Sequence, residues 1–294
     1  MVAMADDAVS VRAPAKINLY LHITGKRPDG FHELDSLVTF SASGDTVRVS
    51  SSPKGSGVQF SVDGPFADQI GPDADNLVVR AARLMMEAFN PAALDVSIHL
   101  TKRLPVAAGI GGGSSDAAAT LRALNRYWHL DLTDERLAAL GLSLGADVPM
   151  CLHRTPVFVS GIGEAITPAP ALPDLPMVLV NPGVAVPTPS VFKAFDGAFS
   201  SPARFDAAPH DVSALAALLT ERCNDLDPPA RTVAPVIGEV LTTLDAQPGC
   251  LIARMSGSGA TCFGLFNDTG AAEEARHSIR LARPEWWCDA MMQF

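Results

Sequence analysis

The sequence is poor in charge, in paired cysteines and in long hydrophobic runs. Only 18% of its 294 residues are charged, and the formal net charge of −10 disfavours nucleic acid and anionic lipid as partners. No window approaches the roughly 18 unbroken apolar residues of a membrane span. The five cysteines are scattered without a Cys-x-x-Cys pair, which disfavours a disulfide framework or a metal site built on cysteine. The first residues have acids where a secretory signal has a basic segment, so a cytoplasmic protein is expected.

The sequence does have enough apolar residues to bury a large core. Hydrophobic residues make up 48% of the chain, and 294 residues correspond to about two domains. The strand and helix patterns come in blocks, with helices from Ser114 onward, which favours an α+β fold over a doubly wound parallel sheet. The stretch Thr155–Pro189 is rich in proline and glycine. We therefore expect one domain over residues 1–160 and a second over residues 161–294.

Hydrophobic periodicity predicts the individual elements. Apolar residues at alternate positions from Ile17 to Ile23 predict a strand with one buried face, preceded by Val9–Ala13. Further strands are predicted over Leu37–Ser41, Thr46–Ser50, Val58–Val62, Leu94–Leu100, Val157–Ser160, Met177–Asn181, Leu251–Met255 and Cys262–Phe266. Helices are predicted over Asn76–Phe89, Ser114–Trp128, Thr133–Leu144, Val212–Cys223, Val233–Asp245 and Ala271–Ala282. Asp75 is placed to cap the first helix, and Val148–Pro149 predicts an extended exit from the third.

The segment Leu104–Ala118 carries the most chemical information. It reads LPVAAGIGGGSSDAA, between a predicted strand and a predicted helix. Glycines permit positive φ, so that N–H groups at a helix N-terminus can converge on phosphate oxygens, and Ser114 and Ser115 add hydroxyl donors or a magnesium ligand. The segment is no Walker loop, since no lysine follows the glycines, and no dinucleotide fingerprint, since position 114 is serine. The alternative is a tight structural turn capped by Ser115.

A second glycine-rich turn lies at Ser256–Ala260, between two predicted strands. Its small residues would let this segment lie flat against a ligand or another backbone. A hairpin turn in which glycine supplies positive φ is the structural alternative, and only the pairing with the first glycine segment favours a functional role.

Two charged residues are candidates for catalysis. Lys16 lies between two strand-like runs, where a compact positive charge could hold a transferring phosphoryl group; a surface lysine at a strand end is the alternative. Asp147 is flanked by apolar residues, and a carboxylate so enclosed could accept a hydroxyl proton. An aspartate that only shapes the turn through backbone N–H groups is the alternative.

Aromatic residues indicate a site for a planar heterocycle. Phe31 and His32 offer a stacking face beside an imidazole that can recognise a ring edge, and Phe192 could form the other side of the stack. The structural alternative is a set of core phenylalanines with a surface histidine.

Taken together, these segments resemble the GHMP kinases, the small-molecule kinases named for galactose, homoserine, mevalonate and phosphomevalonate. The family's three motifs match in order at Pro14–Leu19, Gly109–Ala118 and Ser256–Ala260. The resemblance implies an N-terminal domain like domain 2 of ribosomal protein S5 and a ferredoxin-like C-terminal domain, with the active site in the cleft between them. It covers nearly the whole chain and is weakest over Phe195–Ala230.

Within the family, the chain looks most like members that act on cytidine diphosphate methylerythritol in the non-mevalonate isoprenoid pathway. The segments that carry this likeness are Ile23–His32, Asp75–Leu77, Lys102–Pro105, Gly145–Pro149 and Pro182–Phe192. The resemblance implies transfer of a phosphoryl group from ATP to the 2-hydroxyl of the methylerythritol moiety. Magnesium is expected with ATP because the transferred charge needs neutralisation.

The resemblance also implies a role for each site residue. Asp147 would be the general base, and Lys16 would orient it and stabilise developing charge. ATP would bind Asn76, Pro105, Ala107, Gly109, Gly111, Gly112, Gly113, Ser114 and Ser115. The acceptor would bind Asn18, Phe31, His32, Thr188, Phe192, Gly257 and Ser258. The chain departs from the pattern at Phe31, where tyrosine is usual, and at Ala107 and Ala108, where the loop commonly begins with glycines.

Three other functions stay open. The acceptor could be another small alcohol such as homoserine or mevalonate, or the chain could be a nucleotide-sensing module without catalysis. Hydride transfer on a dinucleotide is disfavoured by the failed fingerprint. A monomer or a weak homodimer is expected.

Overall fold

The computed structural model describes residues 8–71, 76–89 and 95–291. Contacts between residues divide the chain into two compact units. The first unit comprises residues 1–15, 44–106 and 111–153, and the second comprises residues 16–43, 107–110 and 154–294. Each unit is therefore assembled from several stretches of chain. The domain boundary expected at residue 160 stays a prediction.

Strands and helices are mixed along the described residues, which confirms the α+β class. The strands are β1 Val9–Lys26, β2 His32–Ser51, β3 Val58–Asp63, β4 Val96–Thr101, β5 Val157–Gly161, β6 Ala165–Pro168, β7 Met177–Asn181, β8 Cys250–Met255, β9 Cys262–Phe266 and β10 Trp287–Met291. The helices are α1 Leu77–Phe89, α2 Gly112–Tyr127, α3 Asp134–Gly141, α4 Val148–His153, α5 Thr188–Ala194, α6 Val212–Thr220, α7 Asp227–Val233, α8 Val236–Asp245 and α9 Thr269–Ala282. Every helix within the described ranges is too short or too polar to cross a membrane.

The first unit combines β3, β4 and parts of β1 and β2 with helices α1 to α4. Strand β4 pairs in parallel with β3 and antiparallel with residues 46–51 of β2. Helix α2 packs against α1 and α4, and it buries Leu121 and Leu124 together with a row of alanines. Burying a side chain such as Leu121 stabilises the fold by about 1.5–3 kcal/mol. This packing fixes the first turn of α2, where the predicted phosphate loop ends.

The second unit contains the remaining strands. Residues 34–38 of β2 pair with β5, which pairs in turn with β6. Strands β10, β7, β9 and β8 form a four-stranded antiparallel sheet in that order, and helices α8 and α9 pack against it. Leu21 and Ile23 of β1 join the same hydrophobic core as Val180 and Phe266. This packing anchors the strand that carries the predicted Lys16 and Asn18.

The buried face of β1 differs from the prediction. The alternating pattern predicts one buried face, but both faces are buried from Ala13 to Ile23. The polar side chains on the second face have partners there: the Asn18 amide donates to Ser36 Oγ at 2.8 Å, and the Tyr20 hydroxyl donates to Asp35 at 2.8 Å. Because buried polar groups are tolerated when they are hydrogen-bonded, polarity along this strand does not mark an exposed face.

The segment Val148–Pro149 also differs from the prediction. It opens helix α4 and does not form an extended exit. Proline is tolerated in the first turn of a helix, because the N–H that it lacks would have no helical partner there. The cap predicted at Asp75 lies outside the described residues, while the Asn76 side chain accepts a hydrogen bond from Val78 N at 2.8 Å and so caps α1.

Smaller differences concern element ends and short elements. The two strands predicted over residues 37–50 form one continuous strand, and the helices predicted to end at Leu144 and Cys223 end at Gly141 and Thr220. The helix predicted from Val233 begins at Val236. Strands β6 and β10 and helices α4, α5 and α7 are not predicted by the periodicity, because four to seven residues are too few to show it clearly.

Candidate active site

The glycine segment opens helix α2 as the phosphate-loop hypothesis requires. Gly111 precedes the helix with φ of 62°, in the left-handed region that favours glycine. The first N–H groups of an α-helix have no partner within it and carry the positive end of its dipole, so they suit anionic oxygens. Gly111 stands at the cap position, and Ser115 lies inside the helix. The cap at Ser115, which belongs to the structural alternative, is therefore wrong.

The Ser115 hydroxyl is a polar group in need of a partner. The residue is 1% exposed, and its Oγ has no hydrogen-bond partner among the residues that the structure describes. Leaving a buried hydroxyl unpaired costs about 1–3 kcal/mol. A phosphate oxygen or a cation bound at the first turn of α2 would remove this cost.

A buried cluster of charges lies against the same turn. This lysine–aspartate cluster consists of Lys102, Asp45 and Asp116, with Lys102 Nζ at 2.5 Å from Asp45 Oδ2 and 2.7 Å from Asp116 Oδ2. A Cβ atom added at Gly112 would lie 3.2 Å from Lys102 Nζ, so the ammonium group contacts the start of α2 directly. The cluster was missed by sequence reasoning, although an aspartate within the alanine-rich run after the glycines was a signal.

The charges in this cluster perturb one another. Burial raises the pKa of Asp116 to about 7, with the Asp45 charge adding to the shift and Lys102 opposing it. Burial alone would lower the pKa of Lys102, but the two carboxylates raise it. Lys102 therefore stays charged, and burial disfavours the charge of Asp116.

The other predicted site residues of the first unit lie on short connections. Asp45 Oδ1 accepts hydrogen bonds from Arg103 N at 2.5 Å and Leu104 N at 2.8 Å, which fixes the chain directly before Pro105. Asp147 is half-buried and immediately precedes α4. Asn76 caps α1, and a Cβ atom added at Gly113 would lie 3.6 Å from Cδ1 of the following Leu77.

In the second unit, the two glycine-rich segments lie against each other. The turn between β8 and β9 contains Gly257 and Gly259 at positive φ, which confirms a hairpin turn. A Cβ atom at Gly109 would lie 2.5 Å from Gly259 O, and one at Gly257 would lie 2.7 Å from Gly109 O. Thr261 N donates to Ala108 O at 3.1 Å. The glycines are thus required by backbone contact as well as by turn geometry.

Strand β1 joins these two segments. Lys16 N donates to Ile110 O at 2.9 Å, and Asn18 N donates to Ser256 Oγ at 3.1 Å. Lys16 is only 7% exposed, so the alternative of a surface lysine is wrong.

On the other side of the turn, the hydroxyl groups of Ser258 and Thr188 lie 2.8 Å apart. The structure therefore gathers Lys16, Asn18, Gly109, Gly257, Ser258 and Thr188 in one region of the second unit.

Two of the three predicted aromatic residues, His32 and Phe192, form a cluster in the second unit. The His32 ring stacks on Phe192 at 5.3 Å between centroids, and Phe195, which sequence reasoning missed, meets His32 edge-on at 5.7 Å. Phe31 is 59% exposed. Burial, and then the charge of Lys26, lower the pKa of His32, which favours the neutral imidazole. One face of Phe192, predicted to stack on a base, is covered here by His32.

The predicted residues thus fall into two sets. Lys16, Asn18, the aromatic residues and the glycine turn belong to the second unit, and Asp147 and Gly111–Ser115 belong to the first. Their meeting around one acceptor oxygen stays a prediction.

The fold and the order of these motifs define a class of protein. The family description of the N-terminal domain of GHMP kinases matches residues 76–155, and that of the C-terminal domain matches residues 203–283. The chain belongs to the GHMP kinase family, as its motifs suggest. Members of this family are kinases, which implies ATP as the phosphoryl donor.

Particular relatives narrow the comparison. The 4-diphosphocytidyl-2-C-methyl-D-erythritol kinase of Paramagnetospirillum magneticum is 51% identical over 95% of this chain and 96% of its own. The enzyme of the same name from Rhodospirillum rubrum is 50% identical over 97% of this chain and 93% of its own. A crystal structure of 4-(cytidine 5'-diphospho)-2C-methyl-D-erythritol kinase is similar with a TM-score of 0.78 and 35% identity, over 97% of this chain and 99% of that one. Homoserine kinase from Cytophaga hutchinsonii, at 17% identity and a TM-score of 0.73, shares the fold.

Proposed function

We propose that this chain transfers the γ-phosphoryl group of ATP to the 2-hydroxyl of 4-diphosphocytidyl-2-C-methyl-D-erythritol. The observation that carries the proposal is the identity of about 50%, over nearly the full length of both chains, with kinases of that name. The aromatic cluster around His32 supports it further, because a cytosine ring needs stacking faces and a partner for its edge.

In this proposal, ATP is held by the first turn of α2. The N–H groups that follow Gly111 bind phosphate oxygens, and the helix dipole adds to the attraction. Bound Mg²⁺ would supply neutralisation of the charge on the phosphates. The partnerless Ser115 hydroxyl fits a magnesium ligand or a phosphate donor, since Mg²⁺ prefers oxygen. The described residues contain no group of three histidine, cysteine or acidic side chains that would form a metal site by themselves.

Asp147 and Lys16 carry the chemical step. Asp147 accepts the proton of the acceptor hydroxyl, the oxygen forms a bond to the γ-phosphorus, and the bond from that phosphorus to the bridging oxygen of ADP breaks. Lys16 orients Asp147 and stabilises the negative charge on the transferred group. Rigid positioning supports this role, because the backbone of Lys16 is bonded to Ile110 and its side chain is largely buried.

Acceptor recognition falls to the aromatic cluster and the glycine turn. Phe31 and Phe192 stack on the cytosine, and His32 bonds its edge as a neutral imidazole. Since His32 covers Phe192 in this structure, the base displaces the imidazole from that face when it binds. Asn18, Thr188 and Ser258 bind the polar part of the acceptor.

The test is ATP consumption with a panel of acceptors. The purified protein with MgATP is supplied with 4-diphosphocytidyl-2-C-methyl-D-erythritol, homoserine, mevalonate or no acceptor, and ADP is measured by a coupled assay. Turnover is expected with the cytidyl acceptor and is at least 100-fold lower with the other two. Comparable turnover of homoserine or mevalonate contradicts the proposed acceptor, and ATP binding without any turnover supports a sensing module.

We also place the protein in the cytoplasm, as a monomer or a weak homodimer. The five cysteines are free thiols, in agreement with a reducing compartment. Light scattering over a range of protein concentrations measures the oligomeric state, and fractionation of the source cells measures the location.

A further inference from the structure

The lysine–aspartate cluster has two carboxyl groups for one lysine. Lys102, Asp45 and Asp116 are between 0% and 3% exposed. Ionised groups without full compensation are costly in a protein interior, and replacing them by apolar residues is often neutral or stabilising. One aspartate would be enough to pair Lys102. The second carboxylate therefore calls for a reason other than stability.

The three side chains join both ends of the glycine-rich stretch. Asp45 accepts hydrogen bonds from the backbone N–H groups of Arg103 and Leu104, which lie directly before the glycine-rich stretch. Asp116 belongs to the second turn of α2, directly after the glycine-rich stretch. Lys102 donates to both carboxylates and so ties one end to the other. Residues 104 and 116 are thereby held at a fixed separation by a pair of charge-assisted hydrogen bonds, which are stronger than neutral ones.

The same lysine supports the backbone that is expected to bind phosphate. Its Nζ lies against Gly112, whose missing side chain leaves just enough room: a Cβ atom there would approach Nζ to 3.2 Å. The first N–H groups of α2 are therefore backed by a buried cation fixed at a known position. Groups that are already held in the bound geometry lose less conformational entropy when a ligand binds.

Asp116 differs from the other two members in its hydrogen bonding. One of its carboxylate oxygens bonds Lys102, and the other, Oδ1, has no partner among the described residues although it is buried. Asp45, in contrast, uses both oxygens. The Asp116 side chain thus accepts its hydrogen bond from Lys102, and the Asp45 carboxyl is its other close neighbour.

We propose that Asp116 is a positioning residue for ATP: by holding Lys102 against Gly112, it fixes the phosphate-binding first turn of α2. The inference rests on the proposed function and adds a residue to those expected at the ATP site. Asp116 acts on the binding of the phosphates and leaves the acceptor and the chemical step to other residues. Its loss therefore raises the KM for ATP while kcat and the KM for the acceptor stay nearly unchanged.

The test compares three variants with the parent. Asp116→Ala removes the contact with Lys102, and Asp116→Asn retains an oxygen that can accept from it. Thr120→Val is the matched control: Thr120 lies one turn further along α2 and is fully buried, and its hydroxyl donates to the backbone carbonyl of Asp116 at 2.7 Å, so this variant leaves the Asp116 side chain in place. Should Asp116→Ala not fold, Asp116→Ser takes its place, because a serine hydroxyl at this position is too short to reach Nζ.

Initial rates are measured at varied concentrations of MgATP with saturating acceptor, and then at varied concentrations of acceptor with saturating MgATP. We expect Asp116→Ala to raise the KM for ATP about tenfold, or about 1.4 kcal/mol of binding free energy. The kcat and the acceptor KM of Asp116→Ala should stay within twofold of the parent values. Asp116→Asn should recover most of the ATP affinity. Thr120→Val should change neither KM by more than twofold. An unchanged KM for ATP in Asp116→Ala, an equal rise in Thr120→Val, or no recovery in Asp116→Asn overturns the inference.

Calorimetry separates this inference from the proposed function. The affinity for a non-hydrolysable ATP analogue with Mg²⁺ is measured in the parent and in all variants. If the parent binds the analogue but does not phosphorylate the cytidyl acceptor, the proposed function fails, and the affinities still test Asp116. A tenfold weaker analogue affinity in Asp116→Ala supports the inference in that case, and an unchanged affinity refutes it.

Discussion

Replacing Gly109 by alanine tests the contact between the two glycine-rich segments. Gly109 has φ of 74°, and left-handed backbone costs an ordinary residue about 1–2 kcal/mol. The added methyl group would lie 2.5 Å from Gly259 O and 2.8 Å from both Gly259 N and Ser256 O. All three atoms belong to the backbone, so no side chain can rotate away, and overpacking of this kind costs about 1–3 kcal/mol. The Gly109→Ala variant should therefore lose about 2–5 kcal/mol of stability.

A second glycine separates strain from steric overlap. Gly197 also has positive φ, at 95°, but nothing lies within 4 Å of the Cβ position there. Gly197→Ala should lose only the conformational part, about 1–2 kcal/mol. Urea denaturation followed by tryptophan fluorescence gives the transition midpoints of the parent and both variants. If Gly109→Ala is no less stable than Gly197→Ala, the close approach of the two segments is refuted.

Three further predictions concern the candidate site. Asp147→Asn should lower kcat at least 100-fold, as loss of a general base does, with both KM values within about threefold in steady-state assays; a near-normal kcat removes the base assignment. Phe31→Ala should raise the KM for the cytidyl acceptor about tenfold through lost stacking, whereas Phe199→Ala, at another exposed phenylalanine, should not; equal effects contradict the stack. Burial and the charge of Lys26 lower the pKa of His32 in the folded protein, so protonation of this ring destabilises the folded state. The free energy of unfolding should therefore fall as the pH drops below about 6.5, and His32→Gln should reduce that slope in urea titrations between pH 7 and pH 5; an identical slope counts against the lowered pKa of this half-buried imidazole.

The elements with clear periodicity were predictable from the sequence, and those stabilised by distant partners were not. Helix α9 and strand β9 show their pattern within their own residues. Strand β1 shows alternation, yet its polar positions are buried because Ser36 and Asp35 lie opposite them, and no local pattern reveals such partners. Proline at position 149 has the same ambiguity, since it can end one helix or stand in the first turn of the next.

The parts of the candidate site whose backbone conformation is set by neighbouring residues in the sequence were predictable. Gly111 at positive φ before α2 follows from the glycine run itself. The lysine–aspartate cluster was not predictable, because Asp45 and Lys102 are 57 residues apart and only the pairing of β2 with β4 brings them together. The same holds for Phe195 beside His32, which lies outside every motif.

The interleaved course of the chain has a consequence for its biosynthesis. Leu21 and Ile23 are made early, yet the core that they join also needs Val180, Phe266 and the strand Trp287–Met291. On the ribosome, Leu21 is made 159 residues before Val180 and 245 residues before Phe266. Nascent chains that stall within the last strand should consequently need chaperones that shield their apolar surface. Chains terminated before this strand should be degraded, because their core lacks one of its strands.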